Sequence, residues 1–162
     1  MADDFVINVT SNKAEISNEL DKKIEEALYR IGLLGVESCV EKASEIDSVT
    51  GRPTVDTGRY RAGFGFITSK RGKMNGTKSI ASESSDNFTQ QRAPQDTVII
   101  ANNVEYAPYL EYGSGTQEGG HHARYIMKRG IESKIPEITE TLKKVLKGDG
   151  VNVTITKIGG NE

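Results

Sequence analysis

Cysteine occurs once in the chain, at Cys39, so no intrachain disulfide can form. Stability must come from a packed core, and synthesis in a reducing compartment is natural. No apolar run approaches the ~20 residues of a membrane-spanning helix. The start, Met1-Ala2-Asp3-Asp4, is acidic and followed by only a short apolar alternation, which is not the pattern of a signal peptide. Aromatic residues make up 6% and hydrophobic residues 35%, both modest, so part of the surface is expected to pack against something else. Charge of neither sign dominates: the net charge is −2 and the pI about 5.8. That excludes the strongly basic character of a dedicated nucleic-acid-binding domain.

Catalytic signatures are equally scarce. No serine stands in a nucleophile elbow, and Cys39 falls near the apolar stripe of a helix, where burial as packing is expected. His121 and His122 are adjacent rather than four apart, and no further histidine or cysteine completes a metal set. Gly113, Gly115, Gly119 and Gly120 precede a helix but lack the lysine and Ser/Thr ending of a phosphate loop. Glu105 and Glu111 flank a turn with nothing beside them to raise a carboxylate pKa. The expectation is a protein with no catalytic residues, no metal and no cofactor.

The 162 residues suit one α+β domain spanning 1–162. Phe5 to Thr10 reads as a strand. Asn12 or Ser17 is placed to cap the next helix, with Glu15 in capping-box spacing after Asn12. Ile16, Leu20, Ile24, Leu28, Ile31 and Leu34, with Val40 and Ala43, recur at spacings that describe one long amphipathic helix ending near Ser44. Gly32 and Gly35 inside it point to close approach of another backbone, or to a kink. A loop over 47–56 leads to a short helical turn, Gly58 to Ala62, capped by Asp56 or Thr57. Gly63 to Thr68 alternates as a strand, with Phe64 and Phe66 on one face and Ile67 on the other. Residues 70–96 read as a long polar loop or arm with a basic excess from Lys70, Arg71, Lys73, Lys78 and Arg92. Such an arm is suited to ordering on a neighbouring subunit or on DNA. Ala123 to Lys147 is helical, and Pro136 either kinks it or opens a second helix. Residues 148–162 form a C-terminal strand and tail. The whole describes a small, mainly antiparallel sheet packed by a long N-terminal and a C-terminal helix.

One stretch organises the rest. The apolar run Thr97 to Ala101 reads as a buried strand, and Tyr106, Tyr109 and Tyr112 then fall three apart on a single helical turn. Pro108 fits the first turn, and Gly113 and Gly115 stop it. The tyrosines are expected to plug the edge of the sheet. Arg59, Arg61, Arg124, Lys128 and Arg129 could form a basic strip, with Arg124 and Lys128 sharing one face of the last helix. They could equally be a solvated face salt-bridged to Glu105 or Glu111.

Two segments carry a family resemblance. Thr57, Gly58 and Arg61 match a "TG-basic/apolar-R" turn, and Asn103, Tyr106, Ala107, Tyr109, Glu111 and Gly113 match an "N-x-x-Y-A-x-Y-x-E-x-G" segment. In both, and in the order of elements over roughly 5–157, the chain resembles the neck, or tail-completion, proteins of long-tailed bacteriophages, a siphophage-type tail component. It departs from them at His121 to Tyr125, where the family often carries a proline, and in the length of the 70–96 connection. The resemblance implies a structural virion protein at the head–tail junction, made in the host bacterial cytoplasm. It implies a ring of identical subunits, most often six-fold, joining the tail to the DNA-filled head. The partners implied are the head connector or stopper, the tail terminator or tail tube, and the genomic DNA, touched transiently and without sequence preference; no membrane is involved. Arg59, Lys70, Arg71, Lys73, Arg124, Lys128 and Arg129 are then candidates for the DNA channel or the subunit interface. The alternatives are a small hydrolase with its site at the Gly113–His122 loop, and a DNA-binding regulator using Arg124 to Arg129.

Overall fold

The computed structural model describes residues 4–11, 18–53, 58–70, 92–102, 104–114, 122–146 and 151–158. Four strands, β1 (Asp4–Ser11), β2 (Phe64–Thr68), β3 (Thr97–Asn102) and β4 (Val151–Ile158), form one sheet in the order β2-β3-β1-β4. Every neighbouring pair is antiparallel. The described residues also hold four helices: α1 (Asn18–Ser44), α2 (Gly58–Gly63), α3 (Ala107–Tyr112) and α4 (Ile126–Leu146). The architecture is α+β, with a long N-terminal helix and a C-terminal helix on an antiparallel sheet.

The register explains which face is covered. Ile7 lies opposite Val98, and Phe66 opposite Ile100, so their side chains leave the sheet on the same side. That side meets α1 and α4, and Ile7, Phe64, Phe66, Val98 and Ile100 join Ile24, Leu28, Ile31, Ile126, Ile131 and Leu142 in the core. Each large side chain buried there contributes roughly 1.5–3 kcal/mol relative to exposure. Ile67 and Ile99 point the other way and form a second small cluster with Ala93. Phe64 and Phe66 therefore share a face and Ile67 takes the opposite one, as the alternation predicts.

Helix α1 runs unbroken for 27 residues, about 40 Å of helix. Its glycines do not mark a kink. A Cβ at Gly32 would come within 2.2 Å of the Phe66 ring, and one at Gly35 within 2.3 Å of Ile100 Cδ1. What approaches is the sheet's side chains, not a backbone, because large residues on β2 and β3 need empty space on the helix above them. The backbone approach is made elsewhere, at Gly130 of α4, where a Cβ would lie 3.1 Å from the Cys39 backbone. The Ser38 hydroxyl donates to the Gly130 carbonyl there at 2.6 Å. Cys39 is fully buried at this crossing, and burial pushes its thiol pKa up, aided by the charge of Glu111.

Pro136 sits inside α4 without dividing it. The carbonyl it frees is that of Glu132, on an exposed stretch where water can bond it. Ile135, next to Pro136, is partly exposed, while Ile131 and Ile138 on either side of it are fully buried in the core. No helix among the described residues is long and apolar enough to cross a membrane. The capping residues Asn12, Glu15, Ser17, Asp56 and Thr57, and most of the 70–96 loop, lie outside the described residues.

Candidate functional site

Two corners hold the residues singled out by sequence. The first is built where β3 ends. Asn102 is buried, and its amide nitrogen donates to the Tyr60 carbonyl at 2.8 Å while its amide oxygen accepts the Val104 N–H at 3.1 Å. It thus ties α2 to a segment about 40 positions later. Gly63 is required beside it, since a Cβ would fall 2.4 Å from the Asn102 oxygen. Tyr60 is buried, stacks on Tyr106 at 6.3 Å and meets the Phe64 ring edge-on at 5.0 Å. The Arg59 guanidinium lies 5.7 Å over the Tyr106 ring and 3.7 Å from Glu105. The Gly58–Arg61 turn and the Tyr106–Gly113 segment are therefore one packed unit.

Within this unit the tyrosines separate. Tyr106 packs, whereas Tyr109 and Tyr112 are 57% and 38% exposed, so the three do not plug the sheet edge together. A step of three residues turns about 60° short of a full helical circle, so a run spaced by threes drifts off the buried side. Ala107 and Glu111, four apart, stay on it.

Glu111 is 2% exposed. Its two carboxylate oxygens accept the N–H groups of Met127 and Lys128, each at 2.9 Å. These are N-terminal amides of α4, where the helix dipole favours a negative charge. The backbone reinforces the joint, with Arg124 N–H on the Leu110 carbonyl at 3.0 Å and Tyr125 N–H on the Glu111 carbonyl at 3.1 Å. Gly113 closes α3 with φ of 81°, in the left-handed region that favours glycine. Tyr60 shows the consequence of a charge held nearby: burial, then Glu111, pushes its pKa well above the ordinary value.

The second corner lies at the end of α1. Asp47 opens a turn that Ile46 and Pro53 close by a β-bridge. Asp47 Oδ1 accepts the N–H groups of Val49 at 2.8 Å and Thr50 at 3.0 Å. Its Oδ2 lies 2.8 Å from His122 Nε2 and 3.3 Å from Arg124 Nε. Burial opposes ionisation of Asp47, but the amides of Thr50 and Val49, with His122, outweigh it and hold the pKa below the ordinary value. Glu45 beside it takes Lys42 at 2.6 Å and Arg129 at 3.2 Å, and the Lys42 hydrogen bond leads in lowering its pKa. Between the turn and the segment before α4 opens a cavity of about 460 Å³.

The basic residues are thus dispersed rather than aligned. Arg124 is not on the last helix: α4 begins at Ile126, because Tyr125 adopts a left-handed φ of 47°. Arg124 and Lys128 therefore share no helical face, and Lys128 instead lies 5.5 Å over the Tyr125 ring. Arg61 reaches the Ser44 hydroxyl at 3.5 Å, and Lys70 pairs with Asp21 at 2.7 Å, beside a cleft of about 370 Å³ that Glu25 and Asp96 also line. Of the salt bridges expected, Glu105 receives Arg59, while Glu111 receives helix amides. Thr57, Asn103, Arg71, Lys73, Gly115, Gly119, Gly120 and His121 lie outside the described residues. Sequence reasoning missed Asp47, Asn102 and Glu25. Asp47 carried a signal, since an aspartate followed by Ser-Val-Thr-Gly is turn chemistry.

Compared with family models, with curated proteins and with solved structures, the chain matches none of them.

Proposed function

We propose that the protein is a structural component of a phage head–tail junction, a neck or tail-completion protein that acts as a ring between the head connector and the tail, around the DNA channel. The observation that carries this reading is the corner itself. The two segments on which the resemblance rests are distant in sequence, yet Tyr60 stacks on Tyr106 and Asn102 bonds the Tyr60 carbonyl. Ala107, Glu111 and Gly113 each occupy a position that the corner uses. Motif residues with a shared structural task are what a fold-defining signature requires.

A ring needs two different patches on each subunit. Tyr109 and Tyr112 on α3 and, at the other corner, Ile46, Val49 and Tyr125 are large apolar groups left at the surface. Contact with the DNA would be weak. Arg59, Lys70, Arg124 and Arg129 each stand beside a carboxylate, which lowers what they offer to a phosphate. A lining through which DNA passes calls for that weakness.

The test is head–tail joining. Heads and tails purified from a phage lacking the protein should stay separate, and adding the purified protein should restore joined particles. Joining that proceeds equally well without it would overturn the proposal.

A further inference from the structure

We propose that the cavity at the end of α1 is a docking site for a carboxylate side chain on a partner protein segment, with an apolar residue beside that carboxylate. The inference stands on the cavity's own chemistry and does not depend on the head–tail reading.

The central group is Arg124. Its side chain is only 14% exposed, and its Nε is buried without a hydrogen bond among the described residues. Asp47 lies 3.3 Å from that Nε and supplies charge. The oxygen nearest Arg124 is also the one held by His122 at 2.8 Å, and the other oxygen is taken by two backbone amides. Asp47 is therefore saturated, while Arg124 lines the cavity, and a guanidinium is a planar fork of donors suited to gripping a carboxylate at two points. A mostly buried guanidinium whose carboxylate partner is shared with His122 is incompletely compensated, and a second carboxylate completes it.

The surroundings choose the ligand. Glu45 and Asp47 line the cavity with Arg124, Arg129 and His122, so two carboxylates balance two guanidiniums there. A dianionic phosphate would meet both carboxylates; a single carboxylate on Arg124 meets far less repulsion. The rim is apolar: Ile46 is 63% exposed, Val49 72% and Tyr125 44%. Exposed apolar groups around a buried charged anchor are the arrangement of an interface centre with a desolvating surround. That favours a protein segment over a free anion or a nucleic acid.

The probe is a capped pentapeptide with one glutamate between two leucines, titrated into the full-length protein and followed by amide resonances. The glutamine counterpart and inorganic phosphate serve as controls. The glutamate peptide should shift resonances of the 46–50 turn and of residues 122–125, and the glutamine peptide should bind about tenfold or more weakly. Arg124→Gln should abolish the shifts. Val49→Asp, at an exposed rim position away from the fold's packing, should do the same with an unchanged melting temperature. Equal binding of the glutamine peptide, equal shifts from phosphate, or no shift up to millimolar peptide would each overturn the proposal.

Discussion

Glu111 and Asp47 are both buried carboxylates at the end of a helix, and they end in opposite states. Glu111 spends both oxygens on amides of α4 and closes the joint between α3 and α4. Asp47 spends one oxygen on its own turn and shares the other between His122 and Arg124. The first corner is complete within the chain. The second fixes a guanidinium in place without saturating it, beside an open cavity. What separates scaffold from surface here is not burial but whether the acceptor's partners are themselves satisfied.

The contrast breaks most visibly at Glu111. Glu111→Ala leaves two amides of α4 without their acceptor in a buried site, which should cost about 2–4 kcal/mol in chemical denaturation. A loss within 0.5 kcal/mol, roughly the scale of a neutral surface change, would mean that water replaces the carboxylate at no cost. Asp47→Asn should cost less, about 1–2 kcal/mol at neutral pH, since the turn amides keep an oxygen acceptor. Its pH dependence sharpens the comparison. The folded pKa of Asp47 is lowered, so its contribution is present above the ordinary carboxylate value and is lost as pH falls through the folded value. The deficit of Asp47→Asn against the parent should therefore shrink as melting is followed from pH 7 down to about pH 3, near and below the unfolded pKa. A deficit constant over that range would show that the charge is not what the site uses. The smallest effect belongs to the exposed pair at the same corner: Arg129→Ala should change stability by about 0–1 kcal/mol, less at high salt.

Much of the fold was legible because it follows from periodicity. The spacing of Leu20, Ile24, Leu28 and Ile31 and the alternation of Phe64, Phe66 and Ile67 report burial directly. The corners were legible only in part. Glu105 and Glu111 look alike in sequence; which is buried depends on where the first amides of α4 arrive, a tertiary fact. Arg124 was placed on the last helix because nothing local announces that Tyr125 takes a left-handed conformation, which is uncommon for a bulky residue. Gly32 signalled close approach correctly but not the identity of the neighbour, and the true backbone crossing at Gly130 carried no mark of its own. The Asp47 site was hidden for the plainest reason: its partners His122 and Arg124 lie more than seventy positions away.

The most direct measurement is the mass of the purified protein in solution, alone and mixed with tail tubes or with DNA-filled heads. A closed ring of subunits, or a ring-sized increment on either particle, is the predicted result. A monomer that adds to neither particle would contradict the head–tail assignment.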